Sequence, residues 1–290
     1  MKKILTALAC LFTLSAQAAI TVVDDSGNKV SLQKPALRVI AMAPHVTELL
    51  FAAGGAERII ATVSYSDYPE AAKRLPQVGS NRQIDMERVV ALKPDLIVVW
   101  MHGSSERQID QIRALGIPMF HSEPRKLDDI AGSLIKFGKL MGTEAVADAA
   151  AADLRKRLVA LQARFAKRPP VRMFYQVWDK PLYTLNGEHI LSDAMRLCGG
   201  ENIFAGLKVT APVVDVEAVL QQDPEAMFTG ERSATDTGLT MWKPYPSLTA
   251  VKRDNLFRID GNLLNRAGPR MIAGTERMCE MLDTARQRRK

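Results

Sequence analysis

Past its first eighteen residues this sequence has no apolar run long enough to cross a bilayer. It also lacks the short motifs that announce common chemistries. There is no G-x-S-x-G nucleophile elbow, no Walker loop and no G-x-G-x-x-G after a strand. The usual sequence grounds for an enzyme are therefore missing. Ser66–Asp67 beside Tyr65 could be drawn as part of a triad, but Asp-Tyr-Pro is turn chemistry and reads as a turn. A nucleic-acid face is missing too. Of the net charge of +7, Lys2 and Lys3 carry two and Arg286, Arg288, Arg289 and Lys290 carry four, leaving +1 for the body. The high pI thus reads as a frayed basic end, with no basic face interleaved with aromatics. Aromatics are scarce, 17 of 290 residues, so their positions carry information.

What is present first is a leader pattern. Met1-Lys2-Lys3 precedes an apolar run from Ile4 to Leu14, then Ser15-Ala16-Gln17-Ala18. A charged head, a short apolar core and an A-x-A site predict a signal peptide over 1–18 and export. An N-terminal core helix is the plainer alternative. Cys10 after Ala9 hints at lipidation, but the apolar run continues past it, so a soluble exported protein is expected. Cleavage leaves Cys198 and Cys279. An even pair in an oxidising compartment argues for a disulfide, with two buried free thiols as the alternative.

After the leader, "ITVVDDSGNKVSL" alternates about Ser26-Gly27-Asn28 and reads as a hairpin. Short apolar strands then alternate with amphipathic helices. "RVIAMAP", "RIIATVSY", "DLIVVW" and "IPMF" are the strands; "HVTELLFAAGG", "DMERVVALK", "SSERQIDQIRALG" and "LDDIAGSLIKFGKLMG" are the helices. This is the pattern of a parallel sheet covered on both faces. A long helix is predicted over 143–168, between Gly142 and Pro169-Pro170, with a stripe of Val146, Ala150, Leu154, Leu158, Leu161 and Phe165. The strand–helix pattern then resumes, ending in a helix from "AGPR" onward that carries Cys279. The expected fold is α/β. Two lobes with mainly parallel sheets, 19–142 and 169–290, are joined by one long inter-lobe helix over 143–168, with a ligand cleft between them.

Ligands of open parallel sheets bind at the strands' carboxyl ends. Those ends carry His45, Tyr65, Tyr68, Trp100, His102, His121, Trp178, Tyr183, Asn262, Asn265 and Arg266. Rings beside Asn and Arg suit a large flat ligand with a polar rim. His45, His102 and His121 could converge on a metal, but no H-x-x-H or H-E-x-x-H spacing supports it. They read instead as solvated or hydrogen-bonding histidines.

One phrase occurs twice. "DMERVVALKPDLIVV" starts at Asp85 and "DVEAVLQQDPEAMFT" at Asp215. Each reads as a short helix, a proline turn and a buried strand. Asp85 and Asp215 fit the N-cap, and Glu87 and Glu217 fall in the first turn, where negative charge is favoured. One exposed glutamate per lobe would also match a two-fold partner carrying basic residues.

"TELLFAAG", "SYSDYP", "ERVVALKPDLIVVW", "ERQIDQIRALGI", "CGGENIF" and "NRAGPR" are similar to runs in the helical-backbone class of periplasmic substrate-binding proteins that serve ABC importers, cobalamin-binding members above all. The resemblance spans roughly Arg38 to Leu282. It implies a periplasmic monomer, not an enzyme, without a resident cofactor or metal, whose cargo is cobalamin or a related corrinoid. By position it implies ligand contacts at Tyr65, Trp100, Tyr183, Asn262, Leu263, Leu264, Asn265 and Arg266, and docking of Glu87 and Glu217 on the transmembrane permease dimer. It also implies a Cys198–Cys279 disulfide. Two pocket tryptophans of that group correspond to Asn81 and Ala211, and a binding-loop aspartate to Asn262. The extra hairpin over 20–32 is closer to siderophore-binding relatives. A ferric siderophore or haem is therefore the alternative cargo, ahead of a bare metal or an enzymatic role.

Overall fold

The computed structural model describes residues 19–80, 83–100, 103, 106–231 and 238–289. The leader with Cys10, and also Asn81 and His102, lie outside the described residues. An antiparallel hairpin, β1 (Ile20–Val23) and β2 (Lys29–Leu32), comes first. Its turn is pinned by Asp24, whose carboxylate accepts from the backbone of Ser26 (2.9 Å) and Asn28 (2.8 Å).

The first sheet is built from β3 (Val39–Ala41), β4 (Ile59–Ala61), β5 (Leu96–Trp100) and β6 (Met119–Ser122), all parallel, in the order β4-β3-β5-β6. Around it lie α1 (Pro44–Ala52), α2 (Met86–Ala91), α3 (Glu106–Ala114) and α4 (Leu127–Met141). The second sheet is built from β7 (Val171–Gln176), β10 (Gly200–Asn202), β11 (Ala226–Glu231) and β12 (Leu256–Asp260), again parallel, in the order β10-β7-β11-β12. A small ribbon, β8 (Trp178–Asp179) with β9 (Leu182–Tyr183), follows β7. The helices here are α6 (Ile190–Leu197), α7 (Val216–Gln222), α8 (Thr249–Lys252), α9 (Gly261–Leu264) and α10 (Met271–Gln287). The continuous apolar runs follow from burial on both faces: β3 is buried throughout, and so are Leu96 to Val99 of β5.

Between the sheets lies α5 (Glu144–Phe165), 22 residues or about 33 Å long. It packs on α1 and α4 on one side and on α6 and α10 on the other. Its buried face is Ala147, Ala151, Leu154, Leu158, Leu161 and Phe165. The first turns therefore differ from the sequence-based stripe: Val146 is exposed, and Ala147 replaces it. Spacings of four, three, four, three and four hold one face, whereas two successive fours from Val146 drift around the helix. Ala147 also fits where Val would not. A Cβ on Gly138 of α4 would stand 2.4 Å from the Ala147 Cβ, so the two helices meet there at close range.

One apolar cluster runs unbroken from Val39 and Leu96, through Phe137, Leu154 and Leu282, to Met173 and Phe228. The lobes thus share a core through the long helix, and each sheet has its own satellite cluster on the outer face. Cys198 at the end of α6 is disulfide-bonded to Cys279 in α10. The described part of the basic end is not frayed, and Lys290 lies outside the described residues. Arg286 donates to the carbonyls of Pro169 (2.7 Å) and Cys198 (2.7 Å), and Arg289 grips Glu225 through Nε and Nη2, both at 2.8 Å. These arginines staple α10 to the second sheet. The helix begins at Met271 rather than Ala267, past Pro269. Among the described residues no helix is long and apolar enough to cross a membrane.

Candidate binding cleft between the lobes

Both sheets turn their carboxyl ends toward the seam, and a cavity of about 460 Å³ opens there. The first lobe lines it with Pro44 and His45 entering α1, Tyr65 after β4, Trp100 ending β5, and Glu123 and Pro124 after β6. The second lobe contributes His189 and Ile190 entering α6, Glu231 ending β11, and the segment after β12. The lining residues sit at or just past strand ends or at helix starts, as open parallel sheets require.

Of the residues named from sequence, Tyr65, Trp100, His45, Asn262, Leu264, Asn265 and Arg266 line this one cavity. Tyr183 and Leu263 are not among its lining residues. Tyr183 stands opposite Trp178 in the ribbon and bridges to Val213, while Leu263 lies against α10, its Cβ 3.0 Å from where a Cβ on Gly274 would be. Trp178 is exposed and donates to the Lys180 carbonyl at 3.0 Å. His121 faces away, its Nδ1 3.1 Å from Ser26 Oγ and 3.7 Å from Asp24. It secures the hairpin to β6. Among the described residues no group of three or more His, Cys, Asp or Glu could hold a metal ion. Glu123, His189 and Glu231 are not among the residues named from sequence; Glu123 and Glu231 obey the same strand-end rule, whereas His189 enters as the N-cap of α6.

Tyr65 adopts a left-handed backbone (φ 67°) and leaves its side chain 78% exposed, a platform open to the cleft. The His45 ring meets Trp100 edge-on at 5.4 Å, 83° between planes. Burial, and secondarily the charge of Arg266, push the His45 pKa down to about 4. The imidazole is therefore neutral near pH 7, and its buried Nε2 has no hydrogen-bond partner. Opposite, the Tyr175 hydroxyl donates to Asn265 Oδ1 at 2.8 Å and orients that amide. Gly230 makes room for this pair, since a Cβ there would come within 2.6–2.8 Å of both.

Arg266 has a different occupation from the one expected. Its Nη1 donates to Glu48 Oε1 (3.1 Å) and Asp67 Oδ1 (2.6 Å), and its Nη2 to the Tyr65 carbonyl (3.1 Å). Arg270 grips the same Glu48 carboxylate, Nε to Oε2 at 2.9 Å and Nη2 to Oε1 at 2.6 Å, and lies 4.0 Å over the Tyr68 ring. Burial raises the Asp67 carboxyl, but the hydrogen bond and charge of Arg266 outweigh it, and its pKa falls below the ordinary value. Both arginines come from the second lobe and both carboxylates from the first.

The repeated phrase forms the same unit twice. Asp85 accepts from the Arg88 amide (2.9 Å) and Asp215 from the Ala218 amide (2.7 Å), capping α2 and α7. Val89 and Val219 are the buried anchors, and Lys93 and Asp223 take the same left-handed turn. The Asp95 and Glu225 amides then bond the carbonyls of Arg38 and Arg172, each at 2.9 Å. Those arginines stand at the amino ends of β3 and β7. The helix C-termini therefore lie at the amino edges of the sheets, and the N-termini point to the cleft side. Glu87 and Glu217 are both exposed in those first turns.

The chain matches the family model described as periplasmic binding protein over residues 39–263. It is 34% identical over 290 residues, all of both chains, to the vitamin B12-binding protein of Vibrio vulnificus strain CMCP6. Among solved structures, the periplasmic vitamin B12 binding protein BtuF of Vibrio cholerae superposes with a TM-score of 0.81 at 36% identity, covering 87% of this chain and 98% of that one. The periplasmic heme-binding protein RhuT from Roseiflexus sp. RS-1 superposes at 0.73 with 21% identity over 86% and 98%, a likeness of fold alone.

Proposed function

The chain belongs to the periplasmic binding protein family, a family of receptors and not enzymes, and from that premise we propose that it captures cobalamin or a related corrinoid and hands it to an ABC importer. The observation that carries this reading is a cavity shared by the carboxyl ends of both sheets. Tyr65 and Trp100 supply flat walls, and Asn262 and Asn265 supply amides for a polar rim. The corrinoid is cargo, so no resident cofactor is needed. The relatives named for vitamin B12 support this cargo over haem. So does Arg266, the one cation among the described lining residues, because Glu48, Asp67 and the Tyr65 carbonyl already occupy it. An anionic ligand would have to displace them.

The same reading takes residues 1–18 as an export leader and the mature chain as a monomer of two lobes, 19–142 and 169–290, braced by the helix between them. The core shared through α5 limits cleft closure to a small motion. Glu87 and Glu217, one per lobe on the cleft-bearing side, dock on basic residues of the permease dimer. Calorimetric titration with cyanocobalamin, haem and a ferric siderophore tests the cargo. Heat from cyanocobalamin alone at micromolar protein is expected; heat from either competitor with none from cyanocobalamin overturns the assignment.

A further inference from the structure

We propose that Glu48, which stands outside the cavity lining, is a positioning residue for ligand capture: it clamps the second lobe to α1 and, through Arg266, holds Tyr65 in its ligand-facing pose. The inference rests on the cleft being the binding site. Glu48 is buried, its side chain 1% exposed, and both carboxylate oxygens are occupied by Arg266 and Arg270. Leaving a buried carboxylate without its partners is strongly unfavourable, so this one is tolerated only while both guanidiniums remain in place. The loop between them passes close over it: a Cβ on Gly268 would lie 3.3 Å from Glu48 Oε2.

Tyr65 is where the clamp acts on the ligand. Its left-handed backbone is disfavoured for a residue bearing a Cβ, and its side chain is too exposed for packing to fix it. Besides the Arg266–Asp67 pair and the turn bonds from the Ser66 amide to Val63 and the Asp67 amide to Tyr65, two contacts tie the segment to the rest of the cleft. Arg266 Nη2 holds the Tyr65 carbonyl at 3.1 Å, and Thr47 Oγ1 lies 3.1 Å from Ser66 Oγ. Thr47 and Glu48 are neighbours on α1, so one helical turn anchors the platform from both sides. Two carboxylates and two guanidiniums also close the charge balance within the cluster. The clamp is therefore complete without a ligand, and it presets the platform before capture.

A merely structural Glu48 would lower stability and spare the coupling to Tyr65, so a double-mutant cycle separates the two roles. Cyanocobalamin affinity is measured by calorimetry for the wild type, Glu48→Gln, Tyr65→Ala and the double variant. Glu48→Gln is expected to weaken binding about tenfold, and to add less than about twofold once Tyr65 is alanine. Additive losses, or an unchanged affinity in Glu48→Gln, overturn the proposal. If Glu48→Gln fails to fold, Asp67→Asn loosens the same guanidinium at a half-exposed site, and its loss should also vanish in the Tyr65→Ala background. If the wild type binds no cyanocobalamin, the cargo assignment falls but the clamp can still be read. Amide hydrogen exchange of residues 65–67 should accelerate in Glu48→Gln, and an unchanged rate refutes the clamp.

Discussion

Replacing His45 by glutamine should remove a pH dependence from the stability of this protein. The imidazole lies 5% exposed at the entry to α1, with its pKa lowered from the ordinary 6.5 to about 4, first by burial and then by the Arg266 charge. The sign follows from proton counting. Between those two values the unfolded chain binds a proton that the folded chain refuses, so stability rises with pH. The stabilisation is complete above the unfolded value and is lost as pH falls from 6.5 toward about 4. At about pH 5 the unfolded histidine is nearly all protonated and the folded one nearly all neutral, which amounts to roughly 2 kcal/mol; at about pH 7.5 the difference is close to zero. Urea unfolding at these two pH values checks it. The wild type should lose about 2 kcal/mol more than His45→Gln on acidification, with unchanged m-values. Carboxylates titrate in both proteins and cancel in the comparison. Equal losses in the two proteins would refute the claim that His45 is buried neutral.

Four further outcomes are expected. Glu87→Arg with Glu217→Arg should weaken stimulation of the importer's ATPase while cyanocobalamin affinity stays within about threefold; an equal fall in both denies a separate docking role. Asp85→Ala and Asp215→Ala should each cost about 1 kcal/mol in denaturant, and add in the double variant because the caps sit in different lobes. Replacing Cys198 and Cys279 by serine should destabilise by up to about 4–5 kcal/mol on the loop-entropy model, a loss that a reductant reproduces in the wild type only. Ala147→Leu should cost about 1–3 kcal/mol by overpacking against Gly138, whereas Val146→Leu should stay within about 0.5 kcal/mol.

Apolar runs such as "DLIVVW" are readable as strands because they are buried on both faces, and the caps are readable because Asp85 and Asp215 precede amphipathic turns. β10 was not readable: Gly200-Glu201-Asn202 is a short edge strand with no apolar signature, held by pairing to β7. The face of α5 was half readable, since alanine and valine compete there: the alternating four-three spacing favours Ala147, and the close approach of Gly138 excludes the larger side chain. In the cleft, aromatic strand ends pointed to Tyr65 and Trp100 through their scarcity. The Glu48 clamp left no local trace, because its partners lie 218 and 222 residues away along the chain. Glutamate within a helical pattern reads as surface until the fold buries it. The basic end misled for the converse reason: its arginines find carbonyls and Glu225 only after α10 docks.

A crystal structure of the protein with cyanocobalamin bears most directly on the receptor reading. The corrin ring is expected between Tyr65 and Trp100 on one side and the Asn262–Arg266 segment on the other, with the Glu48 pairs intact. A ring seated elsewhere, such as the surface groove beside Leu158 and Arg196 along α5, or no bound corrinoid at saturating concentration, would contradict it.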